Sequence, residues 1–181
     1  MRRGGASLWL AAALALAPGA ASARPDVTCT AANATIDFGS YDVLGGVPLD
    51  GTGSVTVTCV RTAGGPASVV VAYTAKLAPA AGPRRLAPPV GVDRLTYDLY
   101  VDSARTQLWG DGTGRTFPIT GVVVVPRNSS VTDAPKTFYG RIAPGGQDVS
   151  AASPPPPPTV YSEGLVVTVS CVTTGGGGTL C

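Results

Sequence analysis

Leu95-Thr-Tyr-Asp-Leu-Tyr-Val-Asp-Ser-Ala-Arg-Thr-Gln-Leu-Trp-Gly-Asp-Gly-Thr-Gly114 decides the fold class. Leu95, Tyr97, Leu99 and Val101 alternate with Thr96, Asp98 and Tyr100. Successive side chains of a strand point to opposite faces, so this period predicts a half-buried β-strand and not a helix. Asp102-Ser103 then predicts a turn, Gln107-Leu-Trp109 a further short extended piece, and Asp111-Gly-Thr-Gly114 a second turn.

The same reading extends in both directions. Ala34–Phe38 alternates over a short stretch. Gly39–Gly53 is rich in turn residues. Ser54–Val60 places Val55, Val57 and Cys59 on one face and Thr56 and Thr58 on the other. Ser68–Leu77 contains Val69-Val70-Val71, apolar on both faces, which predicts a strand covered on both sides or lying deep in a sandwich. Pro79–Pro89, with Arg84-Arg85, reads as a solvated loop. Phe117–Val125, Thr137–Ile142 and Gly164–Cys171 read as strands, and Asn128–Pro135 as a polar loop. Pro144–Pro158 is a long loop ending in five consecutive prolines, locally a stiff polyproline II spacer. Roughly seven or eight short strands separated by turns, with no helical period, predict an all-β sandwich; a closed barrel has the same period.

The amino terminus has the form of a secretory signal. Arg2 and Arg3 precede the apolar run Leu8–Ala17, which is too short to span a bilayer, and Ala21-Ser22-Ala23 fits a small-residue cleavage site. The expected division is a signal peptide over 1–23, one β-sandwich domain over 24–171, and a Gly-rich tail over 172–181. No later segment is apolar enough for a membrane span.

Charged residues make up 13% of the chain and the net charge is +2, so no basic stripe points to nucleic acid. Histidine is absent, and the single methionine is Met1. Ser-His-Asp and Cys-His catalysis and histidine-ligated metal are thereby excluded within the chain. Asp98, Asp102 and Asp111 lack the ligand spacing of a calcium loop, and turn chemistry explains Asp102 and Asp111. No nucleophile–base pair stands out, and the sequence reads as non-enzymatic, with no cofactor. Asn33-Ala-Thr35 and Asn128-Ser-Ser130 match a common glycosylation sequon and carry little information. Tyr73, Tyr97, Tyr100, Trp109, Phe138 and Tyr139 fit core or cross-strand packing, with Tyr100 the one aromatic on a polar face.

Cys29, Cys59, Cys171 and Cys181 are an even set in an exported chain, which points to disulfides; four cysteines allow three connectivities. Local loop closure favours Cys29–Cys59 and Cys171–Cys181, although spacing alone leaves the alternatives open. The absence of a CxxC pair disfavours zinc.

The wording of the chain resembles the spore coat protein U domain family, which includes the secreted subunits of archaic chaperone–usher pili. The resemblance rests on Cys29, Ile36-Asp-Phe-Gly-Ser-Tyr-Asp42, Pro48–Cys59, Arg84-Arg-Leu86, Leu95–Tyr100, Ala104-Arg105, Trp109–Gly114, Tyr139–Ile142 and Tyr161–Val169. It implies an immunoglobulin-like β-sandwich lacking one strand. It also implies a groove filled first by a periplasmic chaperone and then, at the outer-membrane usher, by a donor strand from a neighbouring pilus subunit. In that reading Ile36, Phe38, Leu165, Val167 and Val169 line the groove, the family's disulfide falls on Cys29–Cys59, and the protein passes through the periplasm to the cell surface.

Two departures from the family pattern stand out. Only Arg24–Thr28 separate the expected cleavage site from Cys29, too short for a donor segment, which suggests a tip or minor subunit that accepts a strand. Val172–Cys181 also extends past the family's usual last strand. The competing expectation is a free-standing secreted module that binds carbohydrate or a surface through Tyr100 or Trp109.

Overall fold

The structure, a computed structural model, describes residues 27–32, 34–39, 41, 46–62, 65–78, 83–86, 94–145, 147 and 162–174. The expected signal peptide, the proline run Pro154–Pro158 and Cys181 lie outside these residues. Twelve strands form, and no helix occurs among the described residues. In chain order they are β1 (Val27–Ala31), β2 (Ala34–Asp37), β3 (Leu49–Val55), β4 (Val57–Arg61), β5 (Ser68–Leu77) and β6 (Arg84–Leu86). These are followed by β7 (Leu95–Tyr100), β8 (Ile119–Pro126), β9 (Ser129–Thr132), β10 (Lys136–Ile142), β11 (Ser162–Leu165) and β12 (Val167–Thr174).

The strands make a six-stranded sheet in the order β11-β2-β3-β10-β7-β6 and two three-stranded sheets, β1-β4-β9 and β12-β5-β8. Each ladder is antiparallel. Three stretches of chain change sheet part-way along. β3 pairs with β10 up to Val55↔Lys136, and β4 then pairs with β1 from Val57↔Ala31. β1 gives way to β2 in the same manner, and β11 to β12 across Val166, which is exposed. Strands that switch sheets at breaks of one or a few residues form the corners of a sandwich and keep one apolar face turned inward on both sides of the break.

That inward face is the one the alternation marks. Leu95, Tyr97 and Leu99 are buried, as are Val55, Val57 and Cys59. Trp109 ties the layers together. Its ring packs on Phe138 of β10 at a centroid distance of 4.8 Å, and its Nε1–H donates to the Ala75 carbonyl of β5 at 3.3 Å. Tyr73 of β5 donates its hydroxyl to Asp133, next to β9, at 2.5 Å. The all-β sandwich expected from the pattern is the fold observed.

Several local expectations are corrected. β1, β6 and β9 lie where no strand was expected, and Arg84-Arg85 sits in the β6–β7 ladder, with Arg85 opposite Thr96. β6 and β9 are short and polar, so neither carries an apolar period; pairing with β7 and with β4 makes them strands. β3 runs through Gly51 and Gly53, inside the stretch that composition marked as turns. Those glycines lie against aromatic rings: a Cβ on Gly51 would stand 2.9 Å from Phe38 Cδ1, and one on Gly53 would collide with the ring of Phe138. Glycine here lets a ring lie flat on the backbone, a packing role that composition reads as a breaker. Val70 is 38% exposed while Val69 and Val71 are buried, so β5 has one covered face, not two. The last strand runs on past Cys171 to Thr174.

Candidate functional site

The ladder β2–β11 joins the first and last parts of the domain through Ala34↔Leu165, Thr35↔Gly164, Ile36↔Glu163 and Asp37↔Ser162. Beyond this ladder β1 and β12 run in opposite directions, side by side, with Cα atoms within 8 Å of one another. No ladder connects them. Among the described residues β1 pairs only with β4, and β12 only with β5. In a strand, alternate backbone amides and carbonyls point to either side, so each of these strands turns one edge of hydrogen-bonding groups toward the gap between them.

The gap is apolar and uncharged. β1 reads Val-Thr-Cys-Thr-Ala and β12 reads Val-Thr-Val-Ser-Cys-Val-Thr-Thr, with no ionisable acid or base in either. Val27, Cys29, Cys171 and Thr173 are buried on the inward faces. Nearer the β2–β11 ladder, Ala31, Val167 and Val169 pack on the core yet stay half-exposed. These side chains leave apolar surface partly open to water beside strand edges that carry no ladder among the described residues.

The expected groove residues divide between two places. Val167 and Val169 border the gap. Ile36 and Leu165 are 1% and 2% exposed within the β2–β11 ladder. Phe38 lies just past β2, with its ring edge-on to Tyr97 at 5.6 Å. Tyr97 in turn donates its hydroxyl to Glu163 of β11, which ties β7 to the ladder. Burial, reinforced by the Glu163 carboxylate that accepts this bond, raises the Tyr97 phenol well above its ordinary value. Alternation identified the apolar positions but carried no signal for Glu163 or Ala31, because their roles depend on which strand lies beside them.

Cys29 and Cys59 are directly opposed in the β1–β4 ladder and form a disulfide with Cα atoms 4.0 Å apart. It fastens β1 to its ladder partner β4 within the β1-β4-β9 sheet. Cys171, in β12, is also disulfide-bonded; its expected partner, Cys181, lies outside the described residues.

The remaining polar constellations resolve into local structure. Asp102 accepts hydrogen bonds from the amides of Thr106 and Gln107 at 3.0 and 2.8 Å and from the Thr106 hydroxyl at 2.8 Å. Asp111 accepts from the Thr113 hydroxyl and amide at 2.7 and 2.9 Å, and these bonds lower its pKa. Both carboxylates cap turns. No group of acids or cysteines suited to a metal occurs among the described residues. On the outer face of the six-stranded sheet, Asp50 accepts a two-point ion pair from Arg141 at 2.7 and 3.0 Å and meets Arg105 at 3.2 Å. Trp109 is 3% exposed, so its ring offers no stacking platform to solvent. A cleft of about 330 Å³ beside it is lined by Arg84, Asp98, Leu108 and the turn at Asp111.

The profile of the Spore Coat Protein U domain matches residues 15–168. The chain belongs to the Spore Coat Protein U domain family. A curated relative is Protein U of Myxococcus xanthus, 32% identical over 130 residues, covering 66% of this chain and 65% of that protein. The alignment therefore spans just under two thirds of Protein U's length. The part of this chain matched to the Spore Coat Protein U domain takes in β1 to β11 and the first two residues of β12, Val167 and Thr168. Among the described residues no helix is long and apolar enough to cross a membrane.

Proposed function

We propose that the protein is an exported structural or adhesive pilus subunit that takes up a β-strand from another protein between β1 and β12. The observation that carries this reading is a pair of adjacent, charge-free strands, each with a single ladder partner among the described residues and no ladder between them. An incoming strand would satisfy both backbone edges by main-chain hydrogen bonds and cover Ala31, Val167 and Val169 with its alternate side chains. Val167 and Val169 then act as groove wall, while Ile36, Phe38 and Leu165 form the closed end.

An unfilled gap of this kind is an aggregation hazard. This supports a partner that covers the gap in the periplasm, in the manner of a chaperone, before an outer-membrane usher exchanges that partner for a neighbouring subunit's strand. The mature chain, purified alone and with a complementing strand peptide or a periplasmic chaperone, tests the reading. The expected result is a chain that self-associates alone and becomes a monomeric, more heat-stable complex with its strand. A stable monomer whose melting temperature does not respond to any strand peptide or chaperone overturns it.

A further inference from the structure

The outer edge of β8 carries a symmetry that its own sheet does not use. β8 is the last strand of the β12-β5-β8 sheet, and among the described residues its only ladder is the one with β5. At Arg127-Asn128 the chain turns from β8 into β9, which pairs with β4. The Arg127 amide donates to the Ala67 carbonyl at 2.8 Å, so by alternation the odd-numbered residues of β8 bond to β5. The even-numbered ones, Thr120, Val122 and Val124, turn their amides and carbonyls the other way.

Pro118 and Pro126 fall in the same phase, one just before the strand and one at its end. Neither has an N–H, so they blunt the outer edge at both ends and leave three donors between them. The spacing is symmetric. Val122 is four residues from each proline, with Thr120 and Val124 two residues to either side of it.

We infer that this edge pairs with the β8 edge of a second copy of the chain, antiparallel about a two-fold axis through Val122. In that register Val122 faces Val122 of the second copy, Thr120 faces Val124, and Pro118 faces Pro126. Each outward amide between the prolines meets a carbonyl, each outward carbonyl meets an amide, and the positions without a donor meet one another. Sliding one copy by two residues sets a proline opposite Thr120 or Val124, and the carbonyl of that residue then has no donor. The Pro126 carbonyl already accepts the Ser129 hydroxyl at 2.9 Å.

The side chains agree with this pairing. Val122 and Val124 are 60% and 55% exposed, and β8 contains none of the charged residues that commonly guard an edge strand. The same face continues through Val70 and Ala72 of β5 to Val172 of β12. Pairing joins the two copies in one continuous sheet and brings Val122 against its counterpart, with Cβ atoms about 5 Å apart. The paired segment is far shorter than the roughly 20–30 residues a side of a stable interface. The contact is therefore weak between free chains and gains where copies are held close together.

Single cysteines in the mature full-length chain, with its native disulfides kept oxidised, test the register. In concentrated protein under mild oxidation, Val122→Cys should form a covalent dimer at least about tenfold faster than Thr120→Cys or Val124→Cys alone. Like residues at those two positions stand about 13 Å apart along the edge, beyond the reach of a disulfide. Mixing Thr120→Cys with Val124→Cys should restore crosslinking. Adding Val124→Pro to Val122→Cys removes an outward donor and no bond to β5. It should slow crosslinking about tenfold with little change in melting temperature. Val122→Cys that crosslinks no faster than the other two overturns the pairing. So does a Val122→Cys thiol that resists labelling in dilute solution, since another part of the same chain would then cover the edge. Neither result bears on strand uptake between β1 and β12, which lies beyond the opposite edge of β5.

Discussion

Two glycines and one cysteine pair show how single residues set the limits of this fold. Gly53 and Gly140 sit beneath aromatic rings. A Cβ on Gly53 would come within 2.6 Å of the Thr35 carbonyl oxygen as well as striking Phe138, and one on Gly140 would stand 2.6 Å from Phe38 Cζ. Neither backbone nor ring can yield cheaply in a packed core. Gly53→Ala should therefore cost about 1–3 kcal/mol in urea unfolding, although alanine suits a strand at least as well as glycine. Cys29–Cys59 closes a loop with a sequence separation of 30. Replacing both cysteines by serine should lower stability by about 3–4 kcal/mol in the chain-entropy account. The loss is read as a lower denaturation midpoint of the oxidised chain and should vanish when both proteins are measured under reducing conditions.

At the scale of elements, the walls of the gap and the polar ties between strands respond to different tests. Val167 and Val169 are half-exposed in the free chain. Val169→Thr should leave the melting temperature of the free protein nearly unchanged, because water satisfies the new hydroxyl. Once a strand covers that position the hydroxyl is desolvated, and strand binding should weaken by about 1–3 kcal/mol, measured by titration with the strand peptide. The polar ties set the response to pH. The Tyr73 hydroxyl, donating to Asp133, holds that carboxyl below its usual range, and Arg141 does the same for Asp50. A depressed folded pKa gives stability that is present above the unfolded value, near 3.8, and is lost as pH falls through the folded one. Tyr73 and Tyr97 are raised, chiefly by burial, so unfolding is favoured as pH climbs above the ordinary phenol value of 10.0. With no histidine in the chain, the melting temperature should be flat from about pH 5 to 9 and fall on both sides. Asp133→Asn should flatten the acid limb.

For the whole molecule, the feature that matters is how the sheets of the sandwich share strands. Three stretches of chain each contribute to two sheets, and the first and last of them are zipped together at one end, through β2 and β11, while at the other no ladder joins them among the described residues. Filling the gap would add main-chain hydrogen bonds to both β1 and β12 and couple the chain's first and last strands along their whole length. The Ala32 N–H donates to the Thr56 carbonyl and the Ala78 N–H to that of Val166, so by alternation Thr30 and Thr168 face β4 and β5, while Cys29, Ala31, Val167 and Val169 turn their amides the other way. A bound strand should then slow amide exchange most strongly at Cys29, Ala31, Val167 and Val169, and far less in β7 and β10. Uniform protection across all strands would mean that the ligand stabilises the fold globally without occupying the gap.

Much of this was legible in the sequence, and the missing parts share a physical cause. Alternation is imposed by having one face in water and one in the core, so Leu95–Tyr100, Val55–Cys59 and Val69–Leu77 carry the strand period, and the all-β class follows from them. Turn residues at Asp102 and Asp111 likewise announce the local bonds they make. β6 and β9 were not legible, because short polar segments become strands only when a neighbour offers an edge. The glycines of β3 were misread because composition cannot distinguish a backbone that bends from one that receives a ring. The sequence by itself determined which side chains face inward, since that depends on neighbours along the chain. Only the tertiary structure decided that β2 pairs with β11 while no ladder joins β1 to β12, since hydrogen bonds between strands depend on which edges meet in space.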